Sequence, residues 1–508
     1  MSQLKKGAIL SYVTIILTNV LGLLITPFII HQLGKQEYGL YMLIGSLVGY
    51  ISVLDLGLNN TIIRFLAKYR AQNDRKAEEN FLATTFIIYC IISLIIIIIG
   101  VGIFYYLPDI FYKLPASDLY KAKIMFAILI FNLAITLPGG TFSAIYSGYE
   151  QFVFPRMLNI FKYIVRSITL VLILSLGAQS IGMVILDTVL NLSIIAINVF
   201  YVFTRLKVKF KLYSFKWSYI KEIFSYSVWI FVYAIVAQLQ WTSGQLILGR
   251  ISTTTIIAIY GVGILLGTYY AAFSAAIAEV FLPRATKMTV LDATGEELTD
   301  MMIRIGRFSL IMLFLVLGGF LIFGKQFINL WVGDSFADSW TIAIIIMITY
   351  TFPLSQLFAH SILEAKGKFY FKALVYILFI TLGTAIGTYL FKYYGVIGLI
   401  SGSTSGWIIS QIIMNFYYQK VIQLNILRFF RELLRNLFFT FLIIIAIGFF
   451  INLIPGSNWF NLILKLMLYA FVYVVFMSKF GINKFEFDIF VDLIPNFIKK
   501  RFNSKLLV

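Results

Sequence analysis

The sequence predicts an all-α integral membrane protein of about 14 transmembrane helices: two six-helix lobes related by an internal repeat, plus two C-terminal helices. Three observations predict it. The 508 residues are 60% hydrophobic and only 12% charged, with a mean hydropathy of +0.92, whereas a soluble domain carries about a quarter charged residues. Apolar runs close to the ~20 residues a helix needs to cross hydrocarbon recur along the whole chain. Sequence features recur too, at an offset of about 216 residues (Tyr201 to Tyr417, for example).

The runs fall near 8–30, 38–63, 81–107, 124–147, 157–176, 181–203, 223–248, 256–282, 307–323, 339–362, 373–391, 395–418, 436–454 and 460–478. The first exceeds a signal-peptide core and lacks a small-residue cleavage site, so it reads as a retained span. The run 307–323 is the shortest. Pro27, Pro138, Gly139, Gly140 and Pro353 lie inside spans, where neighbouring helices can satisfy the backbone groups they free. Tyr and Phe near the span ends suit the interfacial belt.

Lysine and arginine set the expected orientation. Basic residues crowd the segments holding Lys5 and Lys6, Arg64 to Lys76, Arg156, Arg205 to Lys221, Arg284 to Arg307, Lys366 to Lys372, Lys420 to Arg435, and the tail from Lys479. The alternate segments hold only Lys35, Lys113, Lys121, Lys123, Arg250, Lys325 and Lys392. The positive-inside rule then places both termini in the cytoplasm of a bacterial cell, with no extracytoplasmic domain. The expected domains are an N-terminal lobe (1–210), a second lobe (211–425), two additional spans (426–480) and a cytoplasmic basic tail (481–508).

The net charge of +19 lies in short loops between spans, which argues against a nucleic-acid partner. The single cysteine, Cys90, excludes an intrachain disulfide. His31 and His360 are too few for a histidine metal site. No metal or cofactor is expected. No phosphate-binding loop of the G-x-x-x-x-G-K-[ST] type occurs, so direct nucleotide drive is unsupported. A proton or sodium gradient is the expected energy source.

The repeat is legible in particulars. PGGTFSAIYSGYEQF around Pro138 matches PLSQLFAHSILEAKGKF around Pro353, each ending on an acid, Glu150 or Glu364. Gly182 to Tyr201 and Gly398 to Tyr417 span the same distance, and Tyr41 to Arg64 is echoed by Tyr260 to Arg284. Two parallel six-span repeats are an architecture of alternating-access carriers, with the site at the repeat interface.

The N-terminal stretches TPFII, LGKQEYGLY, LDLGL and RFLAKY resemble the polysaccharide-transporter family. These are the O-antigen and capsule repeat-unit flippases of the multidrug/oligosaccharidyl-lipid/polysaccharide exporter superfamily. Architecturally the resemblance extends over most of 1–420. It implies a V-shaped, MATE-like pair of six-helix bundles around a central cavity. It also implies an undecaprenyl-pyrophosphate-linked oligosaccharide as substrate, with glycosyltransferases and a polymerase of the same pathway as partners. The family often has an aspartate before the LILG-like stretch of the seventh span. Here SGQLILGR puts Gly244 there, which sets aside a cation-coupling role for that span. The last two spans resemble the extra pair of lipid II flippases, which forms a groove for a lipid tail.

Charges inside the spans mark the expected site. Lys162 and Arg166 share a helix face four residues apart. Arg166 is ~16 Å deep, counted from Pro155 at 1.5 Å per residue. Asp187, on the next span, reaches similar depth across the turn at Leu176–Gly177. Two readings stand open. Lys162 and Arg166 attract a pyrophosphate, which arginine's planar fork suits, or an Arg166–Asp187 pair merely holds the lobe together. Arg64 and Arg284 end repeat-equivalent spans and read as orientation anchors or a cationic mouth. Arg250 reads as an outer-edge contact or anchor. Asp55 is a candidate ion-coupling carboxylate or the cap of a kink at Gly57, and Glu279 a second coupling candidate. Lys465 is expected to snorkel outward and His360 to face the bundle. The rivals are a drug/cation antiporter, a lipid II or teichoic-acid flippase, and, from another class, a polymerase or acyltransferase. A non-enzyme is expected, because the outer loops are short and histidines few.

Overall fold

In hydrocarbon every backbone donor and acceptor must be paired within the protein, and a run of 20 or so apolar residues achieves that as a helix. A computed structural model of the chain describes residues 3–56, 58–214, 228, 231–291, 293–366, 368, 370–483 and 486, some of the helical ones by backbone alone. Among the described residues there is no β-strand. The helices are α1 Gln3–Ser52, α2 Leu58–Ala71, α3 Arg75–Ile110, α4 Ala116–Gly148, α5 Val153–Ser175 and α6 Ser180–Thr204. Next come α7 Phe231–Trp241, α8 Ser243–Ile251, α9 Thr254–Val290, α10 Gly295–Val332, α11 Asp338–Ser355 and α12 Leu357–Ala365. Then follow α13 Tyr370–Val421, α14 Ile426–Leu434, α15 Leu437–Asn452 and α16 Trp459–Phe476.

Eleven described stretches are long and apolar enough to cross a membrane. Two of them, α1 and α13, are each a pair of helices joined through one non-helical glycine, Gly34 (φ 73°) and Gly395 (φ 55°). With α7 and α8 in the place of the seventh predicted run, the fourteen expected spans are accounted for. The chain is a multi-pass membrane protein.

Three spans differ from the sequence reading. The predicted run 38–63 is not one helix: α1 ends at Ser52, a single turn of tighter helix covers Val53–Asp55, and Leu56 is left-handed at φ 56°. Asp55 stands in that single turn and Asn59 and Asn60 in the first turn of α2, so the break falls where the polar residues, poor helix formers, cluster. The predicted run 339–362 divides at Gln356, three residues after Pro353, which cannot donate to the helical ladder. The Ser274 hydroxyl donates to the Leu354 carbonyl at 2.6 Å, one of the groups left near the break. In α4, by contrast, Pro138 is accommodated within a continuous helix. The short run 307–323 lengthens to the 38-residue α10, the most enclosed of the spans. Its ends were hidden by Arg307 and Lys325, which ended the apolar count early.

The chain forms two compact units, one of residues 1–262 with 376–403, the other of 263–375 with 404–508. Within the first, the LGKQEYGLY stretch is a junction. After Gly34, Gln36 donates to Asp118 at 2.9 Å, and Glu37 accepts from Lys121 at 2.7 Å and from the Ser180 backbone N–H at 3.3 Å. A carboxylate thus sits on the positive end of α6 and ties α1 to α4 and α6. Gly39 lies against the Thr254 carbonyl so closely that any Cβ would overlap it.

The repeat appears as matched local structure. Phe154 stacks on Tyr201 (centroids 4.1 Å apart, 18° between planes), and Phe371 stacks on Tyr417 (4.4 Å, 18°). Gly177 and Gly395, both with positive φ, make the two corresponding inter-span turns. One scaffold is used twice.

In the second unit Arg307 organises the C-terminal region. Its guanidinium pairs with Glu486 and donates to the carbonyls of Glu432 (2.7 Å), Arg435 (3.0 Å) and Gly481 (3.1 Å). The side chain is 8% exposed. From the sequence alone Arg307 reads only as a topology-setting cation, and Glu486 falls within the expected cytoplasmic basic tail. Lys465 also departs from its expectation. It is 4% exposed and donates to Gln326 at 3.2 Å rather than snorkelling outward.

Candidate functional site

The charged cluster predicted in the fifth and sixth spans forms. Arg166 lies about 20 Å along α5 from Val153, counting 1.5 Å per residue, well inside a helix of 23 residues. Its Nε and Nη2 both donate to Asp187 of α6, the latter at 2.8 Å. This is the bidentate fork-on-carboxylate geometry that gives directionality as well as attraction. Both side chains keep 27% of their surface exposed, so the pair is only partly enclosed by the helices. Tyr41, from the second half of α1, lies within electrostatic range of Arg166 and Asp187. Lys162, half-buried one turn back on α5, lies within electrostatic range of both charges.

Sequence dictates that face. On α5 the strongly exposed positions Phe161, Ile168 and Leu172 are apolar and suit lipid, while Lys162 and Arg166 fall on the less exposed side. Two cations against one carboxylate leave the cluster one positive charge in excess. Such a group attracts an anion without holding it as tightly as an unpaired arginine would.

Of the other predicted residues, Arg64, Arg250 and Asp55 do not join this cluster. Arg64 is exposed on α2, and Arg250 is exposed in the last turn of α8, near where Lys113 donates to the Ile251 carbonyl at 2.8 Å. Asp55 lies in the break of the second span beside Tyr89, whose hydroxyl donates to Asn59 at 3.2 Å. The carboxylate is therefore at the kink. The side chains of Glu279 and Arg284, on α9, lie outside the described residues. His360 does meet a polar neighbour, Lys372, at 2.8 Å from its Nδ1. Gly244 has a steric reason for not being an aspartate: a Cβ there would overlap the Tyr260 hydroxyl.

Sequence reasoning missed a second polar group one turn along α6. Asn191 donates from Nδ2 to Asn132 Oδ1 at 2.7 Å and to Thr136 Oγ at 2.6 Å, both on α4. The available signal was the i, i+4 spacing of Asp187 and Asn191 and of Asn132 and Thr136, which places each pair on one helix face.

Residues 4–289 match the family model described as polysaccharide biosynthesis protein, more than half of the chain. The chain belongs to that family. The family member is 21% identical over 408 residues to a Shigella flexneri protein described as "Putative O-antigen transporter", covering 78% of this chain and 92% of the relative. Among solved structures, it resembles the lipid II flippase MurJ in an inward closed conformation, with a TM-score of 0.66 at 16% identity over 93% of this chain and 98% of the other. It also resembles an inward-facing multidrug resistance MATE family transporter of the MOP superfamily, with a TM-score of 0.60 at 12% identity over 81% and 94%. At these identities the likeness fixes the fold, which is that of the MATE and MurJ proteins.

Proposed function

We propose that the protein is a flippase carrying an undecaprenyl-pyrophosphate-linked oligosaccharide repeat unit from the inner to the outer leaflet of a bacterial cytoplasmic membrane. One observation carries the reading: a partly exposed cluster of two cations and one carboxylate, Lys162, Arg166 and Asp187, deep in the helices of a polysaccharide biosynthesis family member. Ionisable groups at that depth are costly and mark substrate or ion paths, and guanidinium is matched to phosphate. The O-antigen transporter relative and the flippase fold support the same direction. Lobes of 1–210 and 211–425, two added spans over 426–480 and a basic tail from 481 complete the proposal. The lobes alternate access to the site, and both termini are cytoplasmic. Arg64 and Arg284 serve as cationic contacts on the entry side and Arg250 on the release side. Asp55 and Glu279 are the coupling carboxylates. Glycosyltransferases supply the cargo and a polymerase consumes it. A drug/cation antiporter would favour carboxylates over this basic pair.

The test separates transport from scaffolding. Arg166→Glu should reduce surface polysaccharide at least tenfold with the protein still in the membrane. The exchange Arg166→Asp with Asp187→Arg restores an ion pair but moves the cation to α6, and export should stay low. Recovery of export by the exchange would mean the pair only holds helices together.

A further inference from the structure

The amide group on α4 and α6 has chemistry the charged cluster lacks. Each asparagine offers two N–H donors and a carbonyl acceptor. Asn191 spends both donors on Asn132 Oδ1 and Thr136 Oγ. Thr136 is also satisfied, donating to the Asn132 backbone carbonyl at 2.7 Å. What remains is the Asn132 amide nitrogen and the Asn191 carbonyl oxygen. Neither has a hydrogen-bond partner among the described residues. Both side chains are half-buried rather than sealed. The two asparagines are hydrogen-bonded to each other, so a free donor and a free acceptor are held side by side.

Interhelical glue does not account for this. An amide that merely binds two helices gains only about 0.6 kcal/mol, and a leftover donor and acceptor at membrane depth cost more than that unless something polar meets them. The repeat allows a comparison. At the Pro138-to-Pro353 offset the positions equivalent to Asn132 and Thr136 are Met347 and Thr351, and at the Tyr201-to-Tyr417 offset the position equivalent to Asn191 is Trp407. There Trp407 packs on Tyr350, centroids 4.2 Å apart. The second half carries its amides elsewhere on the corresponding helices, where Gln411 donates to Gln356 at 2.5 Å and Gln356 to Asn415 at 3.0 Å, so the Asn132–Asn191 group is particular to the first half in its position.

We propose that Asn132 and Asn191 form a subsite for a neutral sugar, reading one donor–acceptor pair on its ring, either vicinal hydroxyls or an acetamido group. The inference rests on the headgroup reading above and extends it. Asn191 is one helical turn, about 6 Å, from Asp187 on the same face of α6. A sugar joined directly to a phosphate held at Lys162 and Arg166 reaches that far. The cations hold the charge common to all such lipids, and the amides read the first sugar.

The experiment uses the full chain in nanodiscs and three probes: undecaprenyl pyrophosphate, the same lipid bearing one hexose, and the same lipid bearing one N-acetylhexosamine. Two net hydrogen bonds should make a sugar-bearing lipid bind about tenfold tighter than the bare one. The preferred sugar tells hydroxyl from acetamido recognition. Asn132→Ala and Asn191→Ala should each cut that ratio to about 3, and the double variant to about 1, leaving the bare lipid's affinity unchanged, whereas Arg166→Ala should weaken all three lipids alike. Thr136→Val, which removes an internal bond only, should keep the ratio. Equal binding of bare and sugar-bearing lipid by the native protein overturns the subsite and leaves the headgroup reading standing. Failure of every lipid to bind overturns both. If the alanine variants lose all lipids together, the amides are structural and the inference is wrong. Should Asn191→Ala fail to fold, Asn132→Ala decides alone.

Discussion

Arg307 shows how far one residue's role can lie from its place in the sequence. Counted among loop cations, it reads as an orientation signal; in the structure its donors meet Glu486 and the carbonyls of Glu432, Arg435 and Gly481, at the end of α14 and just beyond α16. A buried pair stripped of one partner costs about 3–5 kcal/mol, because the stranded charge stays desolvated. Arg307→Ala should therefore lower the melting midpoint of the detergent-solubilised protein sharply. The double variant Arg307→Ala with Glu486→Ala should lose less than the single one, since no charge is stranded. Additive losses would show that the carbonyl contacts, not the carboxylate, carry the effect. Nothing local announced this pairing, because its partners lie 179 positions apart in sequence. The Arg166–Asp187 pair was legible, because both partners lie within one helical hairpin and the turn at Gly177 fixes their relative depth.

At the scale of elements, apolar length predicted the helices and misjudged their interruptions. A span count registers hydrophobicity but not whether Asp55 breaks a helix or Arg307 sits inside one. The breaks at Leu56 and Gln356 come from clustered poor helix formers and a missing donor, which a count does not weigh. Helix contacts leave a fainter trace, in glycines. Gly39, in the motif that carried the family resemblance, brings α1 against the Thr254 carbonyl, and Gly244 brings α8 against Tyr260. Backbone cannot move aside as a side chain can. Gly39→Val should cut the amount of folded, monodisperse protein several-fold, as read by size-exclusion chromatography. Gly244→Asp, which restores the residue expected from the family, should cost about 1–3 kcal/mol by overpacking. The double change Gly244→Asp with Tyr260→Ala makes room and should recover much of the folded yield. If Gly244→Asp alone folds and gains activity, the steric account of this departure fails.

For the whole molecule, the repeat is one scaffold with two chemistries. Phe154–Tyr201 and Phe371–Tyr417 stack alike, yet Leu378 and Leu382 stand where the first half has Lys162 and Arg166, and the second half places its amides elsewhere, at Gln356, Gln411 and Asn415. The orientation proposed from lysine and arginine can be read directly. In a Cys90→Ser background, Lys209→Cys, in the exposed basic stretch after α6, should react with an impermeant thiol reagent only after the cells are opened. Lys123→Cys should react in intact cells, and the reverse pattern would invert the proposed transport direction. Energy supply follows from the same distribution of charge. A cluster one charge positive attracts an anionic headgroup but gives no direction, because binding alone shifts no equilibrium that both faces share equally. Direction then needs a second species whose gradient is not at equilibrium, and a carboxylate such as Asp55 at a helix break is suited to take up a proton or sodium ion. Purified protein in liposomes should move a fluorescent lipid-linked sugar against its gradient while a proton or sodium gradient is held. It should only equilibrate the lipid once ionophores collapse both. Asp55→Asn should equilibrate but not accumulate, even with the gradient present. Accumulation that persists without any ion gradient would remove the carboxylates from the mechanism.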